Sequence, residues 1–159
     1  MKFSLFPKET SLYESEFDIL ELIEILKENT LNGMLSSTNY QTNKKFIGSI
    51  EQESFKIISS AKKTSLFCVF EGQKANVGKQ ISIVKKFHPI FRNLFILWFV
   101  SILIVILFPP FEPNEIIEIF LFVSFATILR YVLIKVLFDT AKTEGIKRLS
   151  DLLKLSEIK

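Results

Sequence analysis

An uncharged apolar run of 19 residues, from Asn93 to Phe111, restricts the fold of this chain more than any other feature. As a helix, the run NLFILWFVSILIVILFPPF would be roughly 28 Å long at 1.5 Å per residue, close to the thickness of the hydrocarbon core of a bilayer. It is apolar on every side, whereas a surface helix of a soluble domain carries a single apolar stripe. The run therefore predicts a transmembrane helix.

A second apolar run, IIEIFLFVSFATILRYVLIKVLF, covers residues 116–138 and carries the charges of Glu118, Arg130 and Lys135. Glu118 and Lys135 lie near its two ends, and the long side chain of Arg130 can reach the headgroups from inside the helix. Prolines in the segment PPFEPNE end one helix and delay the next. We predict a transmembrane helical hairpin over 91–138 with its turn at 109–115. The alternative is that both runs form a soluble core or an oligomer interface.

The charges flanking the two runs predict an orientation. Basic residues precede the first run and end or follow the second, whereas the connecting segment contains no Lys or Arg. The positive-inside rule then places both termini of this multi-pass protein in the cytoplasm. Trp98 is interpreted as an interfacial anchor, with a cation–π contact to Arg130 as the alternative. The predicted membrane-interface anchors are Lys85, Lys86, Arg92, Trp98, Arg130 and Lys135.

Residues 1–90 predict a small cytoplasmic α+β domain. ESEFDILELIEILKENT indicates a helix over about 15–28, with Ser15 as its N-cap and an apolar stripe that includes Leu22 and Leu26. Alternating segments bounded by polar turns predict strands at about 45–50, 54–59, 65–71 and 80–87. The third of these is apolar almost throughout and is interpreted as a central strand. We expect an antiparallel β-meander covered by the helix.

The C-terminal segment, 139–159, predicts a separate amphipathic helix with Ile146, Leu149, Leu152 and Leu153 on its apolar face. Docking on the sheet is favoured over lying along the inner membrane surface. The predicted fold class is thus an α+β membrane protein: a small antiparallel β-meander with an N-terminal helix, then a two-helix transmembrane hairpin and a C-terminal amphipathic helix.

Several short motifs across residues 20–105 resemble a group of uncharacterised small bacterial membrane proteins. These pair an F-x-G-x-I strand with an F-K-I strand, followed by a strand ending in Gly and a His-Pro before an apolar helix. The matching positions are Phe46, Gly48, Ile50, Phe55, Lys56, Ile57, Gly72, His88 and Pro89. This chain departs from the group where the group has an N-S-F-x-P stretch. The corresponding residues here include Thr64, Ser65, Leu66 and Cys68, and the proline is missing. The resemblance implies the layout described above, in the inner membrane of a bacterium, and assigns no activity.

The sequence contains no recognisable set of catalytic, cofactor-binding or metal-binding residues. His88 and Cys68 are the only histidine and the only cysteine, and each is interpreted as structural, the first at a strand-to-helix junction and the second in a buried strand. The stretch GQKANVGK lacks the spacing of a phosphate loop and is interpreted as a turn. Because the aromatic residues alternate as core positions, nucleic acid is not an expected partner.

We therefore expect a non-enzymatic integral membrane protein that presents a small binding or scaffold domain at the membrane. Its expected partners are the lipid bilayer, with anionic lipid headgroups, and a second copy or another protein. The alternative is a signal-triggered, membrane-perturbing effector that oligomerises through its transmembrane helices. A third hypothesis, an enzyme acting on lipids, lacks candidate residues.

Overall fold

Within the residues that the structure describes, the fold consists of one mixed seven-stranded sheet and three helices. The computed structural model describes residues 6–35, 42–60, 65–75, 79–107 and 116–158. In chain order the elements are β1 (Lys8–Ser15), α1 (Ile19–Asn29), β2 (Thr30–Asn32), β3 (Phe46–Ile50), β4 (Ser54–Ser59), a single 3-10 turn (Ser65–Phe67), β5 (Cys68–Lys74), β6 (Gln80–Phe87), α2 (Pro89–Leu107), α3 (Ile116–Leu153) and β7 (Leu155–Ile158).

The strand order across the sheet is β2-β3-β4-β5-β6-β1-β7. Strands β3 to β6 follow one another as antiparallel neighbours, while β2 pairs in parallel with β3. At the other edge β1 lies between β6 and β7 and is antiparallel to both. The prediction of a four-stranded antiparallel meander is therefore wrong. It missed β1, whose sequence KETSLYES is largely polar, and the very short strands β2 and β7.

The main hydrophobic core lies between one face of the sheet and the two helices α1 and α3. Helix α1 buries Leu22, Ile23 and Leu26 there. The central strand β5 contributes Cys68 and Phe70 to this core and Val69 to a smaller cluster on the opposite face. Because side chains alternate along a strand, the first residues of β5 are covered on both faces, whereas Glu71 further along is only half-buried.

The length of helix α3 contradicts the predicted transmembrane hairpin. It runs without a break for 38 residues, so the second apolar run and the separately predicted C-terminal helix form one element. Within the described residues one helix, Ile117–Leu153, is long and apolar enough to cross a membrane, and the apolar part of α2 is the shorter segment Pro89–Ile104. The fold is thus not a two-helix transmembrane hairpin. The turn predicted at 109–115 lies outside the described residues.

Ser15 does not cap α1, contrary to the prediction. Asp18 is the N-cap residue, and its side chain makes no capping hydrogen bond. Ser15 instead ends β1, where its buried hydroxyl donates to the carbonyl of Leu153 at 2.8 Å and accepts from the N–H of Phe17 at 3.1 Å. The hydroxyl therefore ties the end of α3 to the sheet.

Glycines allow the close packing of the central strands. Gly48 in β3 has φ of +153°, and a Cβ there would lie 2.1 Å from the carbonyl oxygen of Lys56 on β4. Gly72 in β5 lies directly beneath the ring of Phe55, its partner on β4. A side chain at either position would force the strands apart, because non-glycine residues rarely adopt that φ and cores hold no spare volume.

Candidate membrane-embedded surface and open sheet face

Helix α3 changes its surroundings at Ile134. Between residues 117 and 133, which we call the outer half, no side chain is buried. Several are more than 60% exposed, among them Phe120, Phe122 and Phe125. From residue 134 to 153, which we call the docked half, one residue in every three or four is buried: Ile134, Phe138, Ala141, Gly145, Leu149 and Leu153. The docked half thus covers the sheet, whereas the outer half carries an uncovered apolar surface.

Helix α2 begins on the sheet and is also uncovered beyond its first turns. Pro89 occupies the first helical position, where its missing N–H has no cost. The N–H of Ile90 donates to Nδ1 of His88 at 3.2 Å, and the N–H of His88 donates to the carbonyl of Phe67 at 3.1 Å. His88 therefore caps α2 and attaches it to the sheet. Burial, reinforced by the charge of Lys56, lowers the pKa of His88 despite the opposing effect of the Leu35 backbone.

Aromatic rings reinforce the attachment of α2. Phe87 at the end of β6 contacts Phe67 and, on α2, Phe95, with ring centroids 6.2 Å and 6.0 Å apart. Phe91 contacts the ring of Phe67 at 4.7 Å and that of His88 at 5.8 Å. Such pairs prefer offset and edge-to-face geometries, so they fix the direction in which α2 leaves the sheet.

An apolar groove lies between α2 and the outer half of α3, reaching the residues next to the docked half. Its volume is about 480 Å³, and its lining residues are Phe91, Leu94, Phe95 and Trp98 from α2 and Ala126, Leu129, Arg130 and Leu133 from α3. On each helix these residues are spaced i, i+3, i+4 and i+7, so each set forms one stripe. The stripes were not recognisable in the sequence because both runs are apolar on every side.

Arg130 is the charged residue of the groove. Its guanidinium carbon lies 4.6 Å from the ring centroid of Phe95 and 5.0 Å from that of Trp98. The contact with Trp98, an alternative interpretation of the sequence, is thus present, while that with Phe95 was missed. Within the described residues Nε of Arg130 is buried without a hydrogen-bond partner, and the guanidinium forms no ion pair.

The structure divides the remaining predicted anchors into two groups. Lys85 is buried in the sheet, and its ammonium donates to Ser11 Oγ at 2.8 Å and to the Tyr13 hydroxyl at 3.1 Å. Lys86 is half-buried and pairs with Glu71 at 2.6 Å. Arg92 and Lys135 are exposed on the two helices near the sheet. Lys85 and Lys86 are therefore held by the domain itself, whereas Arg92 and Lys135 extend outwards.

The sheet face opposite α1 and α3 carries an ion-pair network that was not predicted from the sequence. Glu71 on β5 pairs with Lys56 on β4 at 3.2 Å and with Lys86 on β6 at 2.6 Å. Burial opposes ionisation of Glu71, but the hydrogen bonds and charges of Lys86 and Lys56 outweigh it and lower the pKa of the carboxyl group. The alternating charges in SFKIIS, VFEG and IVKKF were the available signal. We call this surface the open face.

A polar pocket of about 260 Å³ lies beside the ion-pair network on β3, β4 and β5. Its lining includes Ser49, Glu51, Ser54 and Gln73. Hydroxyl, amide and carboxylate groups line it together, so it offers both hydrogen-bond donors and acceptors to a binding partner. The open face therefore has the composition of a surface that binds polar groups.

Cys68 lies in the core rather than at a reactive site. Its side chain is 1% exposed, and burial raises the pKa of the thiol to about 12. A thiol held in its neutral form is a poor nucleophile. In the part of the chain that the structure describes, no three His, Cys, Asp or Glu side chains are arranged to bind a metal ion.

No protein-family model, no curated protein and no solved structure matches this chain. The resemblance to small bacterial membrane proteins therefore stays a prediction. The structure gives a packing reason for two of its matching positions, since Gly48 allows β4 to approach and Gly72 accommodates the ring of Phe55.

Proposed function

We propose that this protein is a non-enzymatic binding module attached to a membrane, with the outer half of α3 embedded in the bilayer and the sheet in water at its surface. The observation that carries the proposal is the change along α3 at Ile134. One continuous helix buries a stripe on the sheet over its docked half, yet its outer half, which is more apolar, buries no side chain within the described residues.

Lipid is the environment that suits the outer half. Ile117, Phe120 and Phe122 are each more than 60% exposed, on different sides of the helix. Contiguous apolar surface of this extent is unfavourable in water, and monomeric soluble proteins rarely expose it. A helix surrounded by hydrocarbon needs no partners for its backbone, because its hydrogen bonds are internal. Helix α2 packs beside the outer half and adds exposed apolar side chains at the same end of the molecule.

The polar residues near Ile134 support a membrane surface at that level. Lys135 and Arg92 are exposed there, and their long side chains reach the headgroup region while their stems stay on apolar surface. Trp98 is 38% exposed and suits the interface, where its indole N–H can contact water or headgroups. In this proposal the anchors are Arg92, Trp98, Arg130 and Lys135.

We place the sheet on the cytoplasmic side of a bacterial inner membrane. Arg92 and Lys135 lie near the sheet, whereas the exposed charge at the far end of α3 is the acidic Glu118. An excess of Lys and Arg beside the cytoplasmic end of apolar helices is the pattern that sets orientation. The bacterial origin rests on the resemblance of the motifs alone.

The open face is the proposed binding surface. Because α1 and α3 cover the other face, the network of Lys56, Glu71 and Lys86 and the adjoining pocket remain accessible to another protein. Charged groups arranged this way favour specific partners of complementary charge. The non-enzymatic assignment is supported by the burial of Cys68 and by the capping role of His88.

Membrane attachment and orientation are tested together by cysteine labelling in intact cells. Cys68→Ser provides the background, and single cysteines replace Glu118, at the outer end of α3, or Ser156 in β7. The protein should stay in the membrane pellet after extraction at high pH, and a membrane-impermeant maleimide should not label the cysteine at 156 until the cells are lysed. Recovery of the chain in the soluble fraction would contradict membrane attachment, and labelling at 156 in intact cells would reverse the orientation.

The open face is tested with photo-crosslinking residues at two exposed positions. Gln73 lies on the open face, and Glu24 lies on the solvent side of α1. We expect a defined protein adduct from position 73 that is absent from position 24. Equal patterns at the two positions would show that the open face is not the binding surface.

A further inference from the structure

We infer that the groove between α2 and α3 binds one anionic phospholipid molecule, with its phosphate on the Arg130 guanidinium and an acyl chain along the apolar wall. This inference rests on the proposed membrane attachment and identifies a specific lipid site within it.

The groove has the size and openness that such a ligand requires. Its volume of about 480 Å³ lies in the range of small-molecule sites. The two stripes face each other without closing, since Leu94 is 55% and Leu129 50% exposed. An acyl chain placed there would cover apolar surface that the two helices leave open. Its flexible methylenes can follow an irregular wall formed by rings on one side and aliphatic groups on the other.

The positive charge of Arg130 favours a ligand with a phosphate-bearing headgroup. Arg130 is its one charged lining residue, and no carboxylate of the described residues pairs with it. A buried N–H without an acceptor is unfavourable, and Nε of Arg130 is in that position. Phosphate oxygens accept two parallel hydrogen bonds from a guanidinium, which a single water molecule cannot do.

Two aromatic rings hold the guanidinium ready for this contact. Phe95 and Trp98 lie 4.6 Å and 5.0 Å from its carbon atom, so they restrict its orientation while leaving it without a hydrogen-bond acceptor. Arginine stacks on aromatic faces and binds phosphate with its edge, so the two interactions are compatible.

The level of Arg130 matches that of lipid phosphates. It precedes Ile134, where α3 reaches the sheet, by one helical turn, or roughly 6 Å. On the side of Arg130 away from the sheet the groove continues to Ala126, about one helical turn earlier in α3, while Trp98 lies beside the guanidinium. A lipid with its phosphate at Arg130 would therefore direct its acyl chain into the hydrocarbon core, parallel to its neighbours in the bilayer.

Trp98 provides the measurement, because it is the only tryptophan of the chain and lies within the proposed site. The full chain is reconstituted in phosphatidylcholine vesicles, and a fixed fraction of the lipid is replaced by phosphatidylglycerol or phosphatidylcholine with brominated acyl chains, which quench tryptophan on contact. We expect brominated phosphatidylglycerol to quench Trp98 more strongly than brominated phosphatidylcholine at equal mole fraction. Phosphatidylcholine serves as the reference because its own ammonium group offsets the phosphate charge.

Two substitutions of Arg130, compared with one at Lys135, assign this preference to the groove. Arg130→Gln should lower the relative affinity for phosphatidylglycerol by about tenfold or more, as expected from losing hydrogen bonds to a charged group. Arg130→Lys keeps the charge without the planar fork and should give an intermediate value. Lys135→Gln is the matched comparison, because it removes one exposed positive charge near the headgroups but outside the groove, and it should lower the preference less than Arg130→Gln does.

The outcomes separate this inference from the proposed function. Quenching by both brominated lipids without a preference for phosphatidylglycerol would refute the lipid site and leave membrane attachment intact. Equal losses in Arg130→Gln and Lys135→Gln would show general attraction to anionic headgroups and would also overturn the site. Displacement of the lipid by inorganic phosphate would indicate a site for free anions. A chain that does not enter vesicles would refute both proposals.

Discussion

The two halves of α3 differ both in apolar content and in surroundings. In the docked half, Phe138 is fully buried against the sheet, while in the outer half Phe122 is 71% exposed. Both belong to the same uninterrupted helix, so helix formation does not distinguish them. The difference is that the docked half includes small residues and polar neighbours that allow one stripe to pack on the sheet. The outer half has apolar residues all round and is suited to a surrounding solvent of hydrocarbon.

The largest expected effect is on the unfolding free energy. Phe138→Ala should destabilise the sheet domain by about 3–5 kcal/mol, because it opens a cavity beneath α3. Phe122→Ala, at an exposed position of the same helix, should change this free energy by less than about 0.5 kcal/mol. Chemical denaturation of both variants in the same detergent provides the measurement. Similar losses in the two variants would show that the outer half is also part of the folded core.

The next effect concerns membrane insertion. Phe125→Lys should disfavour insertion of the outer half by about 2.5–3.5 kcal/mol, the insertion-scale cost of a charge in the middle of a membrane helix. Thr143→Lys, at an exposed position of the docked half, is the control and should leave the membrane-bound fraction unchanged. Membrane flotation of the expressed proteins distinguishes the two. If Thr143→Lys released the protein from the membrane as much as Phe125→Lys does, the boundary between the outer and docked halves of α3 would not lie at Ile134.

A smaller effect tests packing in the docked half against intrinsic helix propensity. By propensity alone Gly145→Ala should stabilise α3 by about 1 kcal/mol. A Cβ at this position would lie 2.3 Å from the ring of Phe70 in the core, so we expect a net loss of about 1–3 kcal/mol from overpacking. Thr143→Ala, on the exposed side of the same turn, should cause no such loss. A more stable Gly145→Ala variant would mean that α3 is not pressed against β5.

The smallest effect concerns two lysines of the docked half. Lys142 pairs with Glu9 of β1 at 2.8 Å and with Asp139 at 3.0 Å, whereas Lys135 makes no ion pair within the described residues. Lys142→Gln should destabilise the domain by about 0.2–1 kcal/mol, the range for partly exposed pairs. Lys135→Gln should have no effect on unfolding, and added salt should reduce the difference between the variants. A larger effect of Lys135→Gln would indicate a structural partner for it.

The sequence predicted local elements better than their assembly. The observed strands β3, β4 and β6 follow alternating patterns that could be recognised from their own residues. Strands β1, β2 and β7 depend on neighbours that are distant in the chain, since β7 exists only by pairing with β1. The fold class was wrong because two apolar runs suggested two similar membrane helices, and the sequence did not show that the second continues to Leu153.

The candidate site was predictable in part. The exposed positions of Arg92 and Lys135 could be anticipated from charges next to apolar runs. The burial of Lys85 could not, because its hydroxyl partners Ser11 and Tyr13 are on β1, which the sequence analysis did not identify as a strand. Nor could the groove around Arg130, because in an all-apolar helix no periodicity marks the side that faces a neighbour.

The sequence by itself determined the chain's apolar content, the helical character of both long runs and the alternation of the central strands, because these follow from properties of residues close together in the chain. Only the tertiary structure decided which apolar surface is covered. Whether a side chain is covered depends on the shape of residues that are distant in the chain. The ring of Phe70 packs against Gly145, and the ring of Phe55 packs over Gly72. Within the described residues Phe122 and Phe125 have no such packing partner and stay exposed. Packing depends on contacts between residues that are distant in the sequence, and these contacts exist only in the folded chain.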